Sequence, residues 1–434
     1  MMLRRRSRSL NERELRLWKV GRALVLTFVA AVLVAGGVFY GLVVLLDFQE
    51  IDTTAKLDAK TLFDLVKLSF GVVAGAGALV ALVVAYRRQR VDEAGAHREA
   101  TRLHTERFSQ AVDKLGSDSP AVRLGGVHAL AGLADDAPDD NLRQTCIDVL
   151  CAYLQLPFTL DPGNDPTHQE EHHRYLALRK VRHTILRLIG DHYRKPAGSH
   201  GSWQGCNLDL TGVIIDGSMD FTGATFSRSA VLFDDAVFSG GRVLFKSAVF
   251  SGGRVSFIGA VFSGGRVTFE GAVFSSRKVS FVGAVVSGGR VVFADVAFSG
   301  GTVLFDDAML SGGTVLFNGA EFSSGAVTFV NAAFSGSRVL FDDAAFSGCR
   351  VLFGHAVFSD GRVHFDDAMF SGSTVHFNET VFADGTVRFR NAVFSGGAVN
   401  FEDATGPAPE ELLAAVGTPP AASVVLSSAW LPVP

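Results

Sequence analysis

Three histidines, His168, His172 and His173, stand close together near the middle of the chain. Two histidines on one helical turn, with a glutamate directly after the first, are the zinc-binding pattern of metalloproteases. Here the order is HQEEH, and the sequence offers no evident third ligand. We therefore expect exposed histidines at the start of a helix and no metal site.

Five aspartates could in principle take part in acid–base chemistry. They fall at predicted helix ends, where carboxylates cap free backbone amides. They are Asp118, Asp135, Asp136, Asp139 and Asp140. Because no Ser–His–Asp, Cys–His or paired-carboxylate arrangement accompanies them, the sequence predicts no enzyme, no catalytic residue and no cofactor.

The spacing of the cysteines bears on their redox state, and the net charge bears on nucleic-acid binding. The four cysteines form neither a CxxC motif nor spaced pairs, so we expect buried, reduced thiols. They are Cys146, Cys151, Cys206 and Cys349. The formal net charge of −4 predicts no general affinity for nucleic acid.

A twelve-residue phrase dominates the second half of the chain. It recurs fifteen times without insertion or deletion between Thr222 and Phe401, and one copy reads DDAVFSGGRVLF (234–245). Phe ends every copy and also fills the fifth place, except at Val286 and Leu310. A fixed period of this kind predicts a stacked solenoid.

The constant residues of the phrase are predicted to face inward. A small or branched residue precedes each Phe by two places, and residues two apart on an extended chain point to the same side. The SGG segment supplies a corner, because Gly permits a positive φ. The predicted core ladder contains Phe233, Phe238, Phe245, Phe250, Phe257, Phe262 and Phe269.

The size of one coil follows from the size of these rings. Twelve residues give a perimeter of about 40 Å, which is too narrow for two Phe rings in each layer. Two phrases, or 24 residues, leave room for four rings. We therefore expect about seven coils over roughly 35 Å.

The opening stretch, with CNLDL (206–210), TGV (211–213) and TGATF (222–226), resembles the pentapeptide repeat family, whose unit is A(D/N)LXX. The resemblance covers about 200 residues, near half of the chain. It implies a right-handed quadrilateral β-helix, with the central Leu or Phe and the preceding Ala turned inward. This chain departs from the family because every second step is seven residues long, through the SGGR-type segment.

The outward places vary, and a binding face would lie there. Arg or Lys fills the ninth place of many copies, and alternate copies fall on opposite sides of the coil. The possible interaction face consists of Arg242, Arg254, Arg266 and Arg290. Acidic pairs, such as Asp234–Asp235, fill the first two places of other copies. A solvated surface of mixed sign is the competing interpretation.

We expect a non-enzymatic scaffold whose β-helix binds an unknown protein partner at a membrane. The alternative comes from the resemblance, since some pentapeptide repeat proteins mimic DNA and bind DNA gyrase through an acidic surface. Such a protein would inhibit or protect a nucleic-acid enzyme. The array contains 13 Lys and Arg against 14 Asp and Glu, a balance that disfavours mimicry.

The N-terminal end predicts a membrane anchor. A basic segment, 1–22, precedes 24 uncharged residues, Ala23–Leu46, which as a helix can cross a core of about 30 Å. This run is too long for a signal peptide. A second apolar run, Leu68–Tyr86, ends at Arg87 and Arg88. We expect a transmembrane hairpin over 23–86 in the cell membrane, with both termini cytoplasmic.

The glycine spacings within the two runs have two interpretations. Gly37 and Gly41, like Gly71 and Gly75, are four residues apart, which permits close helix packing. Chance in helices rich in Gly and Ala is the other interpretation. If the spacings matter, packing of the two helices on each other is favoured over dimerisation, and the oligomeric state stays open.

The expected fold class is therefore α + β, in five segments. After the N-terminus and the hairpin come a helical stalk and bundle (87–200), the β-helix (203–403), and a cap and tail (404–434). The helices of the third segment are predicted to cover the N-terminal end of the solenoid, because an end coil otherwise exposes its core and strand edges.

Overall fold

The computed structural model describes residues 59–158, 161–163, 165–227, 229–275, 278–323, 325–417 and 424–431, with isolated positions between Val29 and Tyr40. The chain divides into two compact units, Met1–Ala100 and Thr101–Pro434. Helix α1, Ala59–Leu115, contains the point of division.

The predicted transmembrane hairpin is not supported by the structure. Its first helix, 23–46, lies largely outside the described residues, and its second run lies within α1. Large apolar side chains of α1, including Phe63, Leu79 and Tyr86, are exposed. Within the part of the chain that the structure describes, no helix is both long and apolar enough to cross a membrane.

Between α1 and the solenoid the structure describes three further helices: α2 (Pro120–Asp135), α3 (Asp140–Gln155) and α4 (Gln169–Arg194), the last preceded by a 3₁₀ turn at Pro166–His168. Pro120 begins α2, where its missing N–H costs nothing. Asp139 caps α3 by accepting a hydrogen bond from Leu142 N at 2.9 Å. Together with the end of α1, these helices enclose a buried apolar core.

The solenoid winds through four parallel sheets, which we call A, B, C and D in the order in which the chain meets them. Sheet A lies opposite sheet C, and B lies opposite D. From the second coil up to Asn400, paired strand residues are 24 places apart, as in Val237↔Val261. The last pair, Val399↔Val424, is 25 places apart. The predicted coil of about 24 residues in a right-handed solenoid is confirmed.

Sheets A and B make the first two faces of each coil. The strands of sheet A are β1 (Leu208–Asp209), β5 (Val231–Leu232), β9 (Val255–Ser256), β13 (Lys278–Ser280), β17 (Thr302–Leu304), β21 (Ala326–Thr328), β25 (Arg350–Leu352), β29 (Thr374–His376), β33 (Ala398–Asn400) and β34 (Val424–Val425). Those of sheet B are β2 (Ile214–Ile215), β6 (Val237–Phe238), β10 (Val261–Phe262), β14 (Val285–Val286), β18 (Met309–Leu310), β22 (Ala333–Ser335), β26 (Val357–Ser359) and β30 (Val381–Phe382).

Sheets C and D make the other two faces. The strands of sheet C are β3 (Met219–Asp220), β7 (Arg242–Leu244), β11 (Arg266–Thr268), β15 (Arg290–Val292), β19 (Thr314–Leu316), β23 (Arg338–Leu340), β27 (Arg362–His364) and β31 (Thr386–Arg388). Those of sheet D are β4 (Thr225–Phe226), β8 (Val249–Phe250), β12 (Val273–Phe274), β16 (Ala297–Phe298), β20 (Glu321–Phe322), β24 (Ala345–Ser347), β28 (Met369–Ser371) and β32 (Val393–Ser395).

Stacked Phe rings fill the interior. Phe245, Phe269 and Phe293 form one column, with ring centroids 4.9 and 4.8 Å apart and nearly parallel planes. All seven residues of the predicted core ladder are buried in such columns. Among the described coils, the column of sheet B alone is interrupted, where Val286 and Leu310 pair in register beside a cavity of about 20 Å³.

The structure has about nine turns, more than the predicted seven. Winding already begins at Leu208, before the regular phrase starts, because CNLDL and the residues after it form strands of the same sheets. At the other end, β34 extends sheet A by pairing with β33. Counting copies of the phrase therefore underestimates the length of the solenoid.

A corner that we did not predict lies at the start of each copy. The second place has a positive φ in all fifteen copies, for example Asp235 at 56°. The turn closes when Ala236 N donates to Phe233 O at 3.1 Å. The first two places are thus a tight turn, in addition to the corner at SGG.

Candidate interaction surface

The sheet C arginines lie in a straight row on the outside of the solenoid. Each begins its strand with its side chain exposed, while the next residue points inward. Arg242, Arg266 and Arg290 pair directly across three neighbouring strands. After Thr314 the row continues with Arg338 and Arg362. We call these five residues the arginine ladder.

The predicted face of four arginines is divided between two sides of the molecule. Arg254 precedes β9 of sheet A, on the side opposite the arginine ladder. Its guanidinium pairs with the Asp234 carboxylate at 3.3 Å. Three of the four predicted residues therefore share one surface, and the fourth does not.

Within the described chain the ladder arginines form no ion pair, although Lys246 and, less strongly, Arg266 lower the pKa of Glu270. Among the residues that the structure describes, no carboxylate lies within 4.0 Å of any of the five guanidinium groups. The neighbouring basic residue Lys246 instead pairs with Glu270 at 2.8 Å. The ladder therefore presents a row of cations that is available to a ligand.

A second column of outward side chains runs beside the ladder. It lies two residues further along each strand of sheet C, so both columns share one face. Its members are Leu244, Thr268, Val292, Leu316, Leu340, His364 and Arg388. Thr268, Val292 and Leu340 of this column are buried, so the apolar side chains that are partly exposed beside the ladder are Leu244 and Leu316.

The acidic pairs at the corners are explained by the fold. Asp234 Oδ1 accepts a hydrogen bond from Ile258 N at 3.0 Å, one coil further on. Asp306 does the same for Val330 N. The second acid of each pair occupies the position of positive φ, which Asp and Asn tolerate better than most residues. These carboxylates serve the turn rather than a binding face.

The last coils of sheet C hold a polar cluster that the sequence did not reveal. Ligand atoms of Asp342, His364 and Asp366 lie within 4.8 Å of one another, as in a metal site. However, Arg388 Nε donates to Asp366 at 2.9 Å, and Arg390 lies 3.1 Å from the same carboxylate. Burial, and then Asp366, raise the pKa of Asp342. The arginines therefore already neutralise the buried acid that would hold an ion.

An open cleft of about 470 Å³ lies where α3 meets the first coils of sheet A. Asp148, Cys151, Gln155 and Asp209 are among its lining residues. Burial raises the pKa of the Cys151 thiol to about 12, so this thiol is not an activated nucleophile. Carboxylates beside an unreactive thiol make no recognisable catalytic set.

The helices are joined to the first coil through Asp216. Its carboxylate accepts hydrogen bonds from Arg179 at 2.5 Å and from His183 at 2.9 Å. Burial by itself would raise the Asp216 pKa, but these hydrogen bonds outweigh it and lower the pKa to about 2. The cluster is an ion pair that fixes α4 to the solenoid.

The histidines and cysteines that attracted attention in the sequence do not form a site. His172 contacts the Asp161 carboxylate at 2.6 Å, close to the start of α4. His168 forms part of the 3₁₀ turn before that helix, and its side chain is exposed. All four cysteines are free and buried, as expected.

Comparison with protein-family profiles, with curated protein sequences and with solved structures finds no significant match to this chain.

Proposed function

We propose that the protein is a membrane-anchored, non-enzymatic scaffold of the pentapeptide repeat type, whose rigid β-helix surface mediates protein–protein interaction. The observation that carries this proposal is the contrast between inward and outward places. Inward places repeat Ala, Val and Phe in stacked columns, which gives a stiff body. Outward places form in-register rows whose chemistry differs from sheet to sheet.

Photocrosslinking in membranes tests this proposal. A photoreactive amino acid replaces one outward residue on each sheet: Leu304 on A, Met309 on B, Leu316 on C or Met369 on D. We expect one sheet to capture a defined protein while the other three do not. Equal capture from all four sheets, or capture from none, contradicts a docking role.

The proposed membrane attachment rests on the two uncharged runs, 23–46 and 68–86, and on the exposed apolar side chains of α1. Carbonate extraction of cell membranes should leave the full chain in the pellet, whereas a variant lacking residues 1–86 should be released. A cysteine at position 54 should then be labelled from outside intact cells. Release of the full chain, or labelling only after lysis, contradicts the proposed attachment or its orientation.

The alternative function, DNA mimicry directed at an enzyme such as DNA gyrase, requires a continuous acidic face. The arginine ladder occupies one side of the solenoid, and corner aspartates such as Asp234 and Asp306 are engaged by backbone amides. These features favour the scaffold over the mimic. Failure of the purified protein to inhibit DNA supercoiling by gyrase is the expected result.

A further inference from the structure

The arginine ladder has no structural benefit that the described residues reveal. Like charges directly opposite one another on neighbouring strands are unfavourable, and strands in a sheet are about 4.8 Å apart. Arg242, Arg266 and Arg290 stand opposite one another without a carboxylate partner in the described chain. On the opposite sheet, by contrast, Arg254 is neutralised by Asp234.

The fold does not require arginine at this place. The same place of the phrase is occupied by Thr302, Thr314, Thr374 and Thr386, and each of these begins a strand in the same way. Because threonine suffices for the strand, the row of arginines is better explained by a ligand than by stability.

The chemistry of the surface around the ladder limits what that ligand can be. The ladder runs beside the partly exposed apolar side chains of Leu244 and Leu316. At the adjoining corner Lys246 neutralises Glu270, and Asp295 adds a negative charge that would repel a broad polyanion such as a phosphate backbone. A narrow ligand with one acidic row and one apolar row fits both columns.

We propose that sheet C binds an acidic, amphipathic α-helix of a protein partner, lying along the solenoid axis with its carboxylates against Arg242, Arg266 and Arg290. This inference rests on the proposed function and names its partner chemistry. The three rungs span about 9.6 Å, and acids at i, i+4 and i+7 of a helix span about 10.5 Å. Alternate residues of an extended strand would span about 13 Å and fall out of register.

The test measures binding of a fluorescent synthetic peptide by the purified full-length protein. The peptide has about 20 residues, enough for a helix, with Glu and Leu in adjacent helical rows. The test variant is Arg242→Thr/Arg266→Thr/Arg290→Thr. Its matched control is Arg254→Thr/Lys278→Thr/Arg350→Thr, which removes the same charge from the sheet A side. Threonine already occupies this place in other copies, so both variants are expected to fold, and thermal melting verifies it.

We expect the test variant to bind the peptide at least ~10-fold more weakly than the unchanged protein, and the control to change affinity less than ~2-fold. A second peptide has the same composition but carries Glu at alternate places. It should bind the unchanged protein as weakly as the first peptide binds the test variant. Equal losses in both variants, or no peptide binding, overturn the proposal.

Two further outcomes separate this inference from the proposed function. Duplex DNA or anionic vesicles that bind more tightly than the peptide, through the same three arginines, would assign the ladder to a polyanion and overturn the helix. Photocrosslinked capture through sheet A, B or D, without capture through sheet C, would leave the scaffold function intact and overturn the inference.

Discussion

Backbone conformation restricts the second place of every copy. Each of these residues has a positive φ, and the fifteen copies use only Gly, Asp, Asn, Ser, His and Glu there. No β-branched or large apolar residue occurs, because L-residues with such side chains are strained in this region. The restricted set of residue types at the second place thus indicates a turn.

We expect Asn331→Val to lower the free energy of unfolding by about 1–2 kcal/mol, since Asn331 has a φ of 59°. Asn331→Gly is the control. It loses the same amide hydrogen bond to Asp307 but keeps the backbone freedom that the turn requires. Thermal or chemical unfolding measures both. Equal destabilisation by the two substitutions would show that the hydrogen bond, and not the backbone, matters.

The inward residues were predictable, whereas the second corner was not recognised. Residues two places apart on extended chain share a side, so Ala236, Phe238, Val243 and Phe245 identify the core from the sequence. For the acidic pairs, the sequence suggested either a binding face or a solvated surface of mixed sign, and a turn was not considered. The restricted residue types at the second place, followed by Ala, were the signal that could have indicated the turn.

At the corner formed by the SGG segment, the positive φ can fall on either of two neighbouring residues. In early coils the positive φ falls on the second glycine of SGG, as at Gly241, where a Cβ would lie 2.2 Å from Gly217 O. Where Ser337 or Cys349 replaces that glycine, the positive φ moves to Gly336 or Gly348 and the new side chain is buried. One corner therefore accepts two sequences.

At the scale of elements, α4 lies close against the first coil. Gly190 permits this approach, because a Cβ there would lie 2.7 Å from the backbone nitrogen of Asp220. Arg182 of the same helix donates to Leu154 O and Ile214 O, and so links α3 to β2. The sequence predicted that helices of segment 87–200 cover the N-terminal end of the solenoid, but no sequence pattern indicates which strand α4 meets, since that depends on long-range packing.

The link between α4 and the solenoid should depend on pH. The folded-state pKa of Asp216 is about 2, below its ordinary value of 3.8, so its ionised form stabilises the fold. This contribution, about 2 kcal/mol, is complete above about pH 5 and is lost as the pH falls through about 2. We expect the stability difference between the unchanged protein and Asp216→Asn to be largest at neutral pH and to shrink over that interval.

Thermal melting between pH 2 and pH 7 measures this difference. Asp148→Asn is a suitable control, because in the described chain the Asp148 carboxylate has no cationic partner and accepts from Gln144 only. It removes one carboxylate and one hydrogen bond without breaking an ion pair. A stability difference for Asp216→Asn that is constant with pH would contradict the role of its ion pairs.

At the scale of the whole solenoid, both ends are covered. Tyr193 of α4 stacks on Phe226 and so begins the aromatic columns. At the other end, Trp430 packs on Phe382 and Phe401, and its indole nitrogen donates to Gly406 O at 2.9 Å. The short helix α5, Leu412–Val416, lies between Gly406 and Trp430 along the chain. At one end α4, and at the other end the segment that contains Trp430, thus cover the Phe-lined core and the strand edges of the last coil.

Removal of residues 404–434 should expose the last coil. Parallel strands with free edges pair with other chains, so we expect the shortened protein to associate in a concentration-dependent manner. Light scattering coupled to size-exclusion chromatography measures this, with Trp430→Ala in the full-length chain as a control that keeps β34 paired. A shortened protein of unchanged mass at all concentrations would show that the last coil needs no cover.

The constant register of the coils also governs how the solenoid tolerates changes of length. Gain or loss of 24 residues adds or removes one complete coil and leaves every outward row of side chains in line. Gain or loss of twelve residues keeps the Phe core equally well filled, but turns everything beyond it by half a revolution. Arginines on one side would then continue on the other. The core of the solenoid therefore repeats every twelve residues, whereas its surface repeats every 24 residues.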